Sequence, residues 1–250
     1  MDAPIDLNLS GLGKASGGKF GNVNISGFGE LNGNVEAELI QISGAGSITG
    51  NTAAARIRIN GTGTIKGDLE TQYVENTGNF KVDGQATVKE WVNEGRSRID
   101  GELKGSKIFS QGYLSVGNNV ECENFYSKGS FAVDNNIEAG IIEVEIGGFC
   151  AVKEILGKEI LIHKQNKLNL RSFSKFLNPL LGKNREWEKL KCTKIEGERI
   201  EIEYTDAHLV IGQNIKVGPE CRIDEVVFKG EIEVDQTAWV GKQTKEEKGE

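Results

Sequence analysis

Few side chains in this sequence could take a proton, attack a substrate or ligate a metal. Histidine occurs only at 163 and 208, and cysteine only at 122, 150, 192 and 221. No two cysteines make a CxxC pair and neither histidine lies at ligand spacing from one, so no zinc site is expected. The cysteines read as reduced, buried thiols. Tyr204-Thr205-Asp206-Ala207-His208 brings a histidine near an acid, as an acyltransferase base would require. No second component of a site is near it in sequence, and a turn or surface histidine is the simpler reading. Glu201 and Glu203 alternate along a strand pattern and read as a solvated face. Gly44-Ala45-Gly46 and Gly61-Thr62-Gly63 look like nucleotide-binding loops but open no helix, and they recur at a fixed spacing that turn geometry explains. GxSxG, HExxH and P-loop lysine motifs do not occur. The sequence therefore assigns no catalytic residue, no cofactor-binding residue and no metal ligand, and reads as a non-enzyme that needs no cofactor.

The elements that would position any site are set by a repeat. Gly27, Gly44, Gly61, Gly78, Gly95, Gly112 and Gly129 stand 17 residues apart. Six positions on, a second column runs Gly33, Gly50, Gly67, Gly84, Gly101, Asn118, Asn135. Gly and Asn enter the left-handed backbone region at least cost, so this column is expected to hold a left-handed turn in every repeat. Between the glycines run apolar columns, such as Val23, Ile40, Ile57, Val74, Trp91, Ile108, Phe125, Ile142 and Leu31, Ile48, Ile65, Val82, Ile99, Val116, Val133. Segments such as Ala55–Ile59 alternate with the period of a strand that buries one face. Seventeen residues hold short strands and turns but no helix, which makes the fold all-β: a parallel β-helix, one coil per repeat, coils stacked about 4.8 Å apart.

One column departs from apolar character: Ile25, Ile42 and Ile59 give way to Asn76, Asn93, Ser110 and Ser127. These side chains either face solvent in the later coils or hydrogen-bond from coil to coil inside; the internal ladder is favoured, provided every buried group is satisfied. Along the chain, residues 1–19 read as an irregular first coil and 20–162 as β-helix, with a one-residue slip near Gly147. Residues 195–241 read as further coils, in which Ile200, Val217 and Val234 are again 17 apart. The charged tail 242–250 reads as disordered.

Segment 163–194 breaks the period and reverses the charge. It holds nine Lys or Arg against two Glu, within a chain of net charge −7 that argues against nucleic-acid binding. Phe173, Phe176, Leu177, Leu180 and Leu181 fall at helical spacing, flanked by Lys167, Arg171, Lys175 and Lys183. Pro179 argues against one continuous helix. Such a basic amphipathic insertion packs onto a flat side of the β-helix, lies on an anionic membrane surface, or meets a partner; the three remain open. Lacking a signal peptide pattern and an 18-residue apolar run, the protein is expected in the cytoplasm, peripheral at the inner face of the cell membrane if the basic segment binds lipid.

Ile57-Arg-Ile-Asn-Gly-Thr-Gly-Thr-Ile-Lys-Gly-Asp-Leu69 and Leu39-Ile-Gln-Ile-Ser-Gly-Ala-Gly-Ser-Ile-Thr-Gly-Asn51 resemble the repeat of the bactofilins, bacterial polymer-forming cytoskeletal proteins. The resemblance covers about residues 20 to 140. It implies a right-handed parallel β-helix that polymerises end to end without nucleotide, associates with the membrane, and scaffolds envelope or morphogenetic proteins. The chain departs from the family pattern in lacking Pro-rich tails, in the 163–194 insertion and in its further coils, and resembles a longer variant. Two readings from other classes stand beside it. One is a left-handed β-helix acyltransferase, supported by Ile211-Gly212 and Val217-Gly218 six residues apart; the other is a monomeric binding solenoid.

Overall fold

Residues 4–165 and 188–246 of the computed structural model are described below. The chain is all-β, with short parallel strands that stack coil upon coil into one continuous sheet wound as a solenoid. The registers follow the repeat: Val23 pairs with Ile40, Ile40 with Ile57, Ile57 with Val74 and Val74 with Trp91. Successive coils therefore lay like residues over one another, and the apolar columns become interior ladders. Each inward side chain is flanked by outward neighbours, so β5 (Thr52–Ile59) buries Ile57 and Ile59 and leaves Arg58 partly exposed.

At one corner the interior is shared between positions i and i+4. Ile25, Ile42 and Ile59 fill the space left by the buried glycines Gly29, Gly46 and Gly63, whose added Cβ would crowd isoleucine methyls; at Gly63 the nearest is Ile59 Cδ1, 2.8 Å away. Further along, Asn76 is followed four residues on by Phe80, Ser110 by Leu114 and Ser127 by Phe131, so bulk moves from one column to the other, while Asn93 and Ser97 make both positions polar. Phe80 in turn stacks on Trp91, with ring centroids 5.6 Å apart. The polar column does point inward: Asn76, Asn93 and Ser110 are fully buried. Asn76 Nδ2 donates to Asn93 Oδ1 (2.9 Å), Ser97 Oγ (3.0 Å) and the Arg96 carbonyl (2.9 Å), and Asn93 Nδ2 donates to Ser110 Oγ (2.9 Å).

The glycine columns owe their composition to crowding rather than to backbone sign. Of all their members only Gly33 (φ 110°) lies in the left-handed region. The expected left-handed turn in every repeat is therefore replaced by close stacking. A Cβ at Gly61 would collide with the Gly44 carbonyl oxygen, and one at Gly67 with the backbone nitrogen of Asn51. Beside the second column runs a ladder of side-chain acceptors. Asn34 Oδ1 accepts from Asn51 N–H (2.9 Å), Asn51 Oδ1 from Asp68 N–H (3.0 Å) and Asp68 Oδ1 from Gln85 N–H (3.0 Å). These bonds satisfy corner amides that ordinary strand pairing cannot reach. Left-handed residues occur later, at Tyr204 (φ 49°) and Glu220 (φ 59°).

The coil length departs from 17 at the first coil and around the excursion, and returns to it in the last coils. β1 (Leu7–Leu9) pairs with β2 (Leu12–Ile25), Leu7 opposite Val23, so the first coil joins the stack but is one residue shorter, and the register of β2 on the coil that follows breaks between Ser16 and Gly18. β13 (Val120–Lys164) and β14 (Leu190–Ile202) pair directly, Cys150 with Leu190 and Ile162 with Ile202, so the stack is unbroken across the excursion, and His163, Lys164 and Leu190–Lys194, expected in the insertion, are strand residues. In the coil that follows, Ile200 pairs with Ile215, and Val217 with Ile202. Ile200 and Val217, expected in one column, are thus two residues out of register: this coil spans 15 residues. β15 (Thr205–Val217) then stacks on β17 (Ile232–Val234) at the original spacing, Ile215 opposite Ile232.

The tail departs from expectation over its first residues. Lys242–Lys245 belong to β18 (Trp239–Lys245), which pairs with β16 (Arg222–Phe228). An open strand edge templates the next strand whatever its polarity, and Lys242 is held further by an ion pair to Glu225 (2.6 Å). Residues 247–250 lie outside the described part.

Candidate functional site

The repeat leaves three places where its own logic stops: two ends and one exit point. At the first end, β1 is paired on one side only among the described residues. Leu7 and Leu9 are partly exposed against the core, and Ile5 beyond them is 79% exposed. On the flank beside this end, Leu12 and Phe28 stand in register one coil apart and are 91% and 66% exposed. With Ala45, Gly46 and Thr62 they line an apolar groove of about 490 Å³. The other end is more polar: the interior column Ile195, Val210, Val226 closes on an exposed Gln243, while Ile232 and Val240 remain partly buried. Trp239, half-exposed, lies under the Arg222 guanidinium.

At the exit point Lys164 forms an ion pair with Glu188 (2.6 Å) and lies over the Tyr204 ring, so the excursion leaves and returns at neighbouring points. The residues that the sequence singled out for membrane or partner contact, Lys167, Arg171, Phe173, Lys175, Phe176, Leu177, Leu180, Leu181 and Lys183, lie outside the described residues. Among the described residues no helix is long and apolar enough to cross a membrane.

Stacking also creates neighbours that linear spacing conceals. His208 Nδ1 meets the carboxylate of Asp224, one coil on, rather than that of Asp206; both side chains stand on the open face, the histidine 73% exposed. Asp206 pairs instead with Lys189 (2.9 Å). Glu201 pairs with Lys216 (2.8 Å). The four thiols are all free, and burial pushes each of them up to about 12. At neutral pH they are protonated, apolar fillers of the wall.

No family model matches the chain, and no curated protein or solved structure matches it either. The far end of the solenoid closes one interior column on Gln243, while the first end combines, among the described residues, a one-sided strand ladder with an apolar core that stops in mid-column and an apolar flank. Such a surface is chemically suited to continue a sheet.

Proposed function

We propose that this chain is a structural, non-enzymatic scaffold that self-assembles end to end into nucleotide-independent filaments or oligomers, as the bactofilins it resembles do. The observation that carries this reading is the uncovered first coil: Leu7 and Leu9 continue two interior columns, and among the described residues nothing lies over them. An uncapped solenoid end exposes backbone donors and acceptors together with apolar area, and both are satisfied by a second solenoid. Leu12 and Phe28 extend the apolar contact onto the flank.

The second part of the proposal is attachment. The basic segment, from Lys167 to Lys183, would bring the assembled chain to an anionic membrane surface or to envelope and morphogenetic partners in the cytoplasm.

Negative-stain microscopy and sedimentation of the purified chain, with no nucleotide added, test the assembly. Filaments or oligomers are expected, and Leu9→Glu is expected to reduce them to monomers that keep the β spectrum. Monodisperse trimers would point instead to an acyltransferase-like enzyme, and monomers at every concentration to a binding solenoid. Deleting 166–187, which leaves β13 and β14 whole, should abolish co-sedimentation with anionic liposomes; unchanged binding would remove the membrane from the reading.

A further inference from the structure

On the outward face of the solenoid, just before the chain leaves it, two carboxylates and an imidazole converge. Glu143 and Glu145 alternate along β13 and point to the same side. The next coil lies directly above, fixed by the bond from Gln165 N–H to the Ile146 carbonyl (3.2 Å), and it brings His163 over Glu145. One ligand atom from each of the three residues lies within 4.8 Å of the other two, and all three side chains are half-buried.

We infer that Glu143, Glu145 and His163 form a binding site for a first-row divalent cation, zinc above all. The charge balance supports it. Lys128 pairs with Glu145 at 3.1 Å, whereas Glu143 has no ion-pair partner among the described residues. The nearby Lys164 is already engaged by Glu188. Two close carboxylates thus share one ammonium, and a dication would neutralise them with shorter bonds than a second lysine could make. The ligand set selects the metal: imidazole favours zinc and its neighbours over calcium and magnesium, which prefer oxygen alone. Three protein ligands leave a fourth tetrahedral position for water or for a group from a partner.

In sequence, His163 is 18 residues from Glu145, a spacing that belongs to coil stacking and to no linear metal motif. The site joins one coil to the next at the root of the basic excursion. A bound cation would therefore clip the last coil before the exit onto the coil beneath it. This inference is independent of whether the chain assembles.

Calorimetric titration of the full chain with zinc, and with calcium in parallel, tests it. One zinc per chain is expected, with an upward shift in Tm. Affinity should fall at least about tenfold in His163→Ala and in Glu143→Gln. His208→Ala removes the only other histidine and should leave binding intact. Both key side chains lie on the outward face of the sheet and outside the apolar core, so circular dichroism should show the variants folded. Absence of zinc uptake, uptake unchanged in the two variants, an equal loss in His208→Ala, or calcium binding as tight as zinc would each overturn the inference.

Discussion

Asn76 and Asn93, one coil apart and both fully buried, are joined amide to amide by a 2.9 Å hydrogen bond inside an otherwise apolar core. Neither residue has solvent to fall back on, so the ladder must be satisfied from within. Arg96 and Tyr113 carbonyls, Ser97 and Ser110 satisfy the two amides, whereas Ser127, the last member of the column, buries its hydroxyl with no hydrogen-bond partner among the described residues. Asn93→Leu removes the acceptor for Asn76 and Ser97 and the donor to Ser110. A loss of about 3 kcal/mol is expected in urea unfolding, because orphaned buried groups cost more than a bond contributes. Replacing Asn76 and Asn93 together by isoleucine, which extends the column of Ile25, Ile42 and Ile59, should cost less than the sum of the two single changes.

The glycines at 61 and 63 should respond to alanine in different ways. At Gly61 the new Cβ meets the backbone of Gly44, which cannot move without shifting a whole coil, and a loss of about 3 kcal/mol or more is expected. At Gly63 it meets the terminal methyl of Ile59, and a loss nearer about 1 kcal/mol is expected. Ile59→Val removes that methyl, so the double variant should be more stable than additivity allows, as a double-mutant cycle in urea would measure.

Glu220 is exposed and sits at φ 59°, a conformation that disfavours any residue with a Cβ. Glu220→Gly keeps the backbone N–H that donates to Thr237 Oγ1 and should stabilise the chain by about 1 kcal/mol, read as a raised urea midpoint.

The four cysteines predict a limit on the alkaline side. Burial holds each thiol at about 12 in the folded chain, against about 9 when exposed. Above pH 9 the unfolded state releases protons that the native state retains, so stability is full below that pH and falls as the pH rises from about 9 toward 12. Urea midpoints across that range should decline. In native protein at pH 8 the thiols should react slowly with a disulfide reagent, and all four should react after unfolding.

The stacking register was legible in the sequence wherever the period held, since Val23, Ile40 and Ile57 pair as their spacing implies. The inward turn of Asn76 and Asn93 was legible too, from their place in an isoleucine column. Two things were not. Glycine at 50 and 67 looks the same whether it answers a left-handed turn or a crowded corner, and only the stacked backbone distinguishes them. Asp224 beside His208, and Glu145 beside His163, are neighbours only once the local coil length is known, and near these residues it is 16 and 18 rather than 17. Pairs across coils become readable when the slips are counted first.

The unbroken register from Cys150 to Leu190 across the excursion has a consequence for how such a molecule changes over time. Each coil asks of the next only that like residues meet, so the stack accepts a whole extra coil, or a bulky detour, without repacking the others. Duplicating one 17-residue stretch in the gene would lengthen the rod by about 4.8 Å and leave both extremities unaltered. The protein is in this sense a ruler graduated in coils, whose reach can be reset by unequal recombination.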